Sequence, residues 1–407
     1  MAQRSSLALR GAAWQSCAML PALESVAPAV RRPRIKRLAL SEFRSYPALD
    51  LRLDADVVAL TGDNGAGKTN LLEALSFLTP GRGLRRVELA DCAWDRGSGG
   101  WAVSVEIAED GGSVQLGTGF DPPAPGAPQS RRYRMDRAPV SSIRDFANHA
   151  RAVWLTPAMD GLFNGPAGDR RRFLDRLVLA VDSDHGGRVN ALERALRNRN
   201  RLLEDNIRDK AWLDAAEREV AELAVAVAAA RQETVSRLAG LIRQTRDASS
   251  AFPWAEVTLT GFIEDQLDGG PALEVEERYR QVLHDNRYRD AAAGRTLVGP
   301  QSSDLLVRHG PKQADAARSS TGEQKALLVG LILAHARLVA EMSGIVPFVL
   351  LDEISAHFDP TRRAALYDSL GQLGAQVWMT GADAAAFGGL GANAKTFRVS
   401  PGKVEPA

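Results

Sequence analysis

Gly62-Asp63-Asn64-Gly65-Ala66-Gly67-Lys68-Thr69 fits G-x-x-x-x-G-K-[ST], the spacing of a phosphate-binding P-loop. Its flanks fit as well: Val57-Val58-Ala59-Leu60 reads as a buried strand, and Asn70-Leu71-Leu72-Glu73-Ala74-Leu75 as a helix. Glycines at these positions let backbone N–H groups turn inward around a phosphate. Lys68 then brings a point charge to the β- and γ-phosphates, Thr69 a hydroxyl for Mg2+, and the helix from Asn70 onward the positive end of its dipole. The nucleotide-binding stretch is therefore Gly62 through Asn70, with ATP and Mg2+ as the expected ligands. A glycine-rich turn with an incidental lysine would not need the strand before it and the helix after it.

The chain has 407 residues, 45% of them hydrophobic and 25% charged, which is ordinary for globular protein and long enough for two or three domains. It contains no uninterrupted apolar run of about eighteen residues, so no membrane span is expected. Formal net charge is +1, which excludes a uniformly basic coat; any DNA contact must rest on a local patch. Cys17 and Cys92 are the only cysteines, and the histidines lie scattered from His149 to His357 without ligand spacing. That pattern points to a reducing, cytoplasmic setting and away from a zinc site.

Residues 1–33 hold one acid, Glu24, and end in Arg31-Arg32-Pro33. They read as a disordered extension or as a start codon set too far upstream, with an acid-poor transit peptide as the alternative. Ordered sequence is expected from Ile35, with strands at 35–40, 49–53 and 57–60. After the P-loop helix comes Gly81-Arg82-Gly83-Leu84-Arg85-Arg86, a turn whose Arg82, Arg85 and Arg86 are candidate DNA contacts. Further strands are expected at 101–107, 114–119, 131–135 and 153–155, with a proline-rich turn at 122–128. A loop at 156–165 then leads to a helix opened by Asp169-Arg170-Arg171-Arg172. From Asp182 to about Asp247 the chain turns rich in Ala, Arg, Glu and Leu, with Val220, Leu223, Val227, Val235, Leu238 and Ile242 at helical spacing. This reads as two long antiparallel helices; the cluster Arg197-Asn198-Arg199-Asn200-Arg201 reads first as their solvated face. A strand at 254–259, a charged helix at 274–288 and a strand at Thr296-Leu297-Val298 follow. The domain limits expected are 1–33, 34–185, 186–294 for the helical insertion, and 295–407.

The last third narrows the chemistry. Phe348-Val349-Leu350-Leu351-Asp352-Glu353 has the Walker B form: Asp352 is placed to hold Mg2+ with Thr69, and Glu353 to orient or deprotonate the attacking water. Ser319-Ser320-Thr321-Gly322-Glu323-Gln324 precedes a long apolar helix, and hydroxyl and glycine residues at a helix start form an anion site. Placed before Walker B, this stretch resembles the signature motif of ABC-type ATPases, usually Ser-Gly-Gly-Gln or Ser-Gly-Gly-Glu, with Thr321 in place of the first glycine. That resemblance implies that Ser320, Thr321, Gly322 and Glu323 act in trans, on nucleotide held by an opposite subunit. Ser355-Ala356-His357-Phe358-Asp359 then occupies the D-loop position, ending in Asp359, and Gly381-Ala382-Asp383 stands where many transporter ATPases carry a switch histidine.

Residues 38–46, the run from Asn64 to Ala74, Gly81-Arg82-Gly83, residues 157–160, Arg171-Arg172-Phe173-Leu174-Asp175, Arg199-Asn200-Arg201-Leu202-Leu203 and Thr296-Leu297-Val298-Gly299-Pro300 together resemble the RecF family of bacterial recombinational-repair ATPases. The resemblance runs over about residues 35–399. Gln301-Ser302-Ser303-Asp304 stands where that family usually has His-Arg-x-Asp. It implies an α/β fold, an SMC-like ABC head with a short helical second domain inserted. It also implies ATP-driven homodimerisation, binding of double-stranded and gapped or single-stranded DNA, and work with RecO- and RecR-type partners to load the RecA recombinase. Read from spacing alone, the residues reach an ABC-class ATPase and no further. A transporter ATPase subunit, a small-molecule P-loop kinase and a nucleotide-binding clamp without hydrolysis stay open at that level.

Overall fold

The computed structural model describes residues 30–109, 111–122, 130–205, 209–247, 250–267, 269–353 and 358–407. Alternating apolar residues build β1 (Arg34–Phe43) and β2 (Tyr46–Arg52), which pair antiparallel with Leu38 opposite Leu51 and Leu40 opposite Leu49. β3 (Val57–Thr61), apolar but for its last residue, leads through the P-loop into α1 (Lys68–Ser76). β4 (Trp101–Glu109), β5 (Gly112–Phe120), β6 (Arg131–Met135) and β7 (Ala138–Val140) complete a six-stranded antiparallel sheet in the order β2-β1-β4-β5-β6-β7. β8 (Ala152–Leu155) precedes α2 (Ala167–Val181), α3 (His185–Glu204) and α4 (Lys210–Thr245). β9 (Ala255–Thr260), α5 (Glu264–Leu267), α6 (Ala272–Asp285), α7 (Arg287–Ala293), β10 (Asp304–His309) and β11 (Ala314–Asp315) follow. The chain closes with α8 (Thr321–Ser343), β12 (Phe348–Leu351), α9 (Pro360–Leu373), β13 (Val377–Gly381), β14 (Ala394–Ser400) and β15 (Lys403–Pro406).

The runs without alternation, β3, β13, β12 and β8, are four adjacent strands of a second sheet in the order β15-β14-β3-β13-β12-β8, with β8 at its edge. Its strands are parallel apart from β15, and strands covered on both faces need no polar side. β3 and β12 lie on either side of β13, so the P-loop and the acids after Leu351 emerge at the same carboxyl edge, the place where open α/β sheets bind ligands. α8 is 23 residues long and apolar enough by composition to cross a bilayer, but here it is a core helix with Leu327, Leu331, Ile332 and Leu338 all buried.

α4 spans 36 residues, about 54 Å at ~1.5 Å per residue. Its first half, through Val220, Ala224 and Ala228, belongs to a separate apolar cluster with Leu192, Leu196, Tyr279 and Leu283. Its last turns, through Val235, Leu238 and Ile242, join the main core. One helix thus carries a satellite core out from the main one, and α3 packs along it as the expected antiparallel partner.

Several expectations are corrected. Pairing begins before Ile35, because Arg31 bridges to Ile345. Thr296-Leu297-Val298 is no strand: its polar groups are taken by side chains, the Thr296 hydroxyl by Arg199 and Asn200, the Leu297 N–H by Asp290, and the Val298 carbonyl by Tyr279. The strand lies further on, at β10, which pairs along its length with β9 and ties the region around the helical insertion to the residues after 295. Arg199 is not on a solvated face. It is fully buried, donating to Glu217 (3.2 Å), Asp290 (2.8 Å), Thr296 (2.8 Å) and the Leu283 carbonyl (2.6 Å). Residues 123–129 of the proline-rich turn, and Ser355-Ala356-His357 of the D-loop stretch, lie outside the described residues.

Candidate nucleotide-binding site

The P-loop needs its glycines for stated reasons. Gly62 has φ +140°, and a Cβ there would stand 2.3 Å from the Val399 carbonyl oxygen; Gly67 has φ +109°, with the Ser45 hydroxyl at 2.6 Å and the Tyr46 hydroxyl at 2.9 Å from such a Cβ. Both positions exclude a side chain twice over, by conformation and by space. Around Gly65, by contrast, nothing lies within 4 Å. Asp63, Asn64, Gly65 and Ala66 form the turn itself, closed by the Ala66 N–H on the Asp63 carbonyl. Lys68 is buried, and its ammonium donates to the carbonyls of Gly62 (2.6 Å) and Asp63 (2.9 Å) across the loop. The Tyr46 hydroxyl donates to the Gly67 carbonyl (3.1 Å), and burial pushes that phenol's pKa up, keeping it a donor. Asn70 is fixed from two sides, by Ser45 (2.9 Å) and by Arg85 (2.8 Å).

Walker A and Walker B meet. The Thr69 hydroxyl lies 2.9 and 3.1 Å from the two carboxylate oxygens of Asp352, although 283 positions separate them in the chain. Asp352 is buried, and its backbone N–H is held by the Leu155 carbonyl at the end of β8. The Thr380 hydroxyl, near the end of β13, donates to Asp352 at 2.8 Å and accepts the Glu353 N–H at 2.8 Å. One neighbouring strand therefore positions both acids. β12 ends at Leu351, so Asp352 and Glu353 lie just past the strand and not on it. Glu353 adopts φ +55°, a left-handed conformation uncommon outside glycine that turns its carboxylate out of the strand's alternation. No hydrogen bond or ion pair engages that carboxylate among the described residues.

A hydroxyl and a carboxylate about 3 Å apart are hard oxygen donors, and they suit a Mg2+ that keeps its remaining coordination for phosphate and water. Among the described residues no group of three or more His, Cys, Asp and Glu side chains is placed to hold a metal ion.

The signature residues sit at the start of α8. Glu323 accepts from the Ser320 backbone N–H at 3.0 Å and from the Lys312 ammonium. Those two partners, Lys312 foremost, hold its carboxyl down at about 2. Thr321 and Gly322 are exposed, and a Cβ on Gly322 would meet nothing within 4 Å. Among the described residues no hydrogen bond or ion pair joins Ser320, Thr321, Gly322 or Glu323 to the P-loop. Asp359 caps α9, its carboxylate accepting the Arg362 N–H at 3.0 Å.

The arginine turn divides. Arg82 is exposed and loosely paired with Glu88 at 3.4 Å. Arg85 is drawn inward to Asn70 and to Glu73 (2.7 Å), the fully buried acid that Arg44 also grips (2.8 Å). Arg86 donates to the Arg172 carbonyl (3.3 Å) and, with Arg85, lines a cavity of about 490 Å³ that also reaches Thr69 and Asp352. Sequence reasoning missed Tyr46, Glu73 and Thr380, because hydroxyls and acids inside ordinary strands and helices carry no motif. It also missed Asp160 and Asn164, which tie the loop after β8 to α8 through Lys325 (3.0 Å) and Gln324 (3.2 Å).

A family model described as an AAA domain matches residues 37–93, the part that holds β1 and the P-loop. The "DNA replication and repair protein RecF" of Rhizobium meliloti (strain 1021) is 52% identical over 370 residues, covering 91% of this chain and 98% of that protein. The protein of the same name from Mesorhizobium japonicum is 52% identical over 372 residues, with 91% and 97% covered. Among solved structures, the recombination mediator protein RecF of the RecFOR pathway bound to ATPrS superposes with a TM-score of 0.79 at 18% identity, covering 93% of this chain and 99% of that one. Its ATP form gives 0.78 at 19%. The second pair speaks for the fold, an ABC-type head with an inserted helical domain; the relatives at half identity over nearly their whole length decide the family. This chain belongs to the RecF family of DNA replication and repair proteins.

Proposed function

We propose that this chain is an ATPase whose ATP-bound homodimer holds DNA at single-strand gaps during replication and recombinational repair. The observation that carries the reading is the Thr69–Asp352 contact, which joins P-loop and Walker B into one site while the signature residues remain outside it. Thr69 and Asp352 would hold Mg2+, and the P-loop amides from Gly62 to Asn70 with Lys68 would cradle the phosphates. Bound Mg2+ supplies neutralisation of the charge on the β- and γ-phosphate oxygens. Glu353 takes the proton of the attacking water, its carboxylate aimed by the Thr380 bond to its backbone. Ser320 and Gly322 contact nucleotide on the second subunit, so the site is complete only in the dimer.

The domain division in this reading is 34–185 and 295–407 for the head and 186–294 for the helical arm, which has its own apolar cluster and enters the main core through the end of α4 and β9. The solved RecF structures are of a recombination mediator of the RecFOR pathway. By likeness to them, RecO- and RecR-type proteins are the partners, RecA loading the outcome, and the cytoplasm the place. The test is titration of purified protein with gapped, double-stranded and single-stranded DNA, with and without ATP. DNA affinity should rise with ATP and be greatest on gapped DNA. Lys68→Ala should lose ATP binding, and Glu353→Gln should keep it while turnover falls by at least ~100-fold. Equal DNA affinity with and without ATP would remove the proposal.

A further inference from the structure

α3 has two faces of opposite character. Leu192, Ala195, Leu196 and Arg199, at i, i+3, i+4 and i+7, are buried against α4 and α7. Arg194, Arg197, Asn198 and Arg201 repeat the same spacing on the exposed side. At about 100° per residue, Arg197 and Arg201 each stand roughly 200° around the helix from Arg199. The roll of α3 is fixed by the inward arginine, whose bonds to Glu217, Asp290, Thr296 and the Leu283 carbonyl leave it no other seat. One buried arginine thereby turns three others outward.

Their charge is largely uncommitted. Neither Arg194 nor Arg201 is in an ion pair among the described residues, and Arg197 has only Glu193 at 3.8 Å, both side chains well exposed. Glu204 and Asp205, three and four residues beyond Arg201, are the other acids of α3 and its C-cap close to the stripe. From Arg194 to Arg201 the stripe runs seven residues, about 10 Å. One strand of duplex DNA advances ~3.4 Å of axis per phosphate, so three arginines over that length match about three successive phosphates.

We infer that the outward stripe Arg194–Arg197–Arg201 of α3 is a docking surface for the phosphate backbone of DNA. This inference rests on the DNA-binding reading above and adds to it a place on the helical arm. In a chain of net charge +1 a phosphate-binding surface must be local, and a basic row with one long, exposed ion pair among its three arginines, on a helix of fixed roll, is such a surface. Asn198, within the row, can donate its amide to a further phosphate oxygen.

The experiment uses the full chain with ATP and a fluorescein-labelled gapped duplex, reading anisotropy over a salt series. Arg194, Arg197 and Arg201 are replaced together by Gln, and in a second variant together by Lys. The Gln variant should bind more weakly, and its log–log salt slope should fall by about 2.7, at ~0.9 for each phosphate no longer neutralised. The Lys variant should keep most of the slope, which separates charge from folding. ATP binding and melting temperature should match the unmodified chain in both. A Gln variant with unchanged slope overturns the inference, and so does a Lys variant whose slope falls as far as the Gln one. If the unmodified chain fails to bind DNA, the DNA-binding reading itself has failed, a result distinct from either.

Discussion

Replacing Gly322 by alanine separates what a single head needs from what a dimer needs. Gly322 is the second residue of α8, outside the left-handed region, and a Cβ there meets nothing within 4 Å. In the isolated chain the substitution should therefore stabilise, by up to about 0.5–1 kcal/mol, because alanine gives up less backbone freedom in a helix than glycine. In a chain of this size, at ~2.1 cal/mol/K of unfolding entropy per residue, that is a rise in melting temperature of roughly 0.5–1 °C. Across a dimer the same methyl would stand between the Gly322 backbone and the partner's phosphate. A symmetric dimer loses a charge-assisted backbone bond at each of its two sites, at about 1.5–3 kcal/mol apiece, a weakening of ATP-driven dimerisation by roughly 10²- to 10⁴-fold. The assay is a thermal melt without nucleotide, then light scattering over a concentration series with ATP. A variant that melts higher and dimerises as well as the unmodified chain would refute the trans placement of the signature residues.

Two further substitutions probe the arm and the core. Arg199→Met leaves Asp290 without a cation in the arm's interior, while Glu217 keeps Arg287, and should destabilise by about 3–5 kcal/mol in a denaturant titration, as expected for a buried ion pair cut on one side. His335 is buried with its Nε2 on the Leu177 carbonyl, and burial lowers its pKa from 6.5 to about 4. The unfolded chain binds a proton near pH 6.5 that the folded chain refuses until about 4, so stability falls as pH drops through that window, by up to about 3 kcal/mol. His335→Gln should flatten that part of the pH–stability curve, and an unchanged curve would assign the acid sensitivity elsewhere.

Legibility follows periodicity and spacing. β6 is legible to the residue because the proline-rich turn before it marks where it begins, and the cores of β3, β8 and α1 within a residue or two from their short apolar runs. Thr296-Leu297-Val298 misleads because it is largely apolar and β-branched like a strand, yet its partners are side chains: Arg199, 97 positions back in the chain, and Asp290 and Tyr279 on the two helices just before it. Arg199 misleads in the other sense. Three arginines at alternate positions look alike in sequence, and only the acids that α4 and α7 bring to the centre decide which one turns inward. At the nucleotide site Lys68, Thr69 and Asp352 are legible from spacing, whereas Thr380 is not, since a threonine near the end of a strand takes on its role only from the strand beside it. In the arginine turn, no local pattern marks Arg85 as the one taken up by Asn70 and Glu73 while Arg82 stays in solvent.

The central claim is that the nucleotide site is complete only when two chains meet, and Ser320→Arg tests it most directly. Ser320 caps α8 on the exposed side and, among the described residues, forms no bond to its own P-loop, so the substitution should leave ATP binding by a single chain intact. The bulky cation would occupy the contact with the partner's phosphate. Light scattering with ATP should show the unmodified chain shifting from the mass of one chain to that of two while Ser320→Arg stays at one. Ser320→Arg that binds ATP and still doubles in mass would contradict the account.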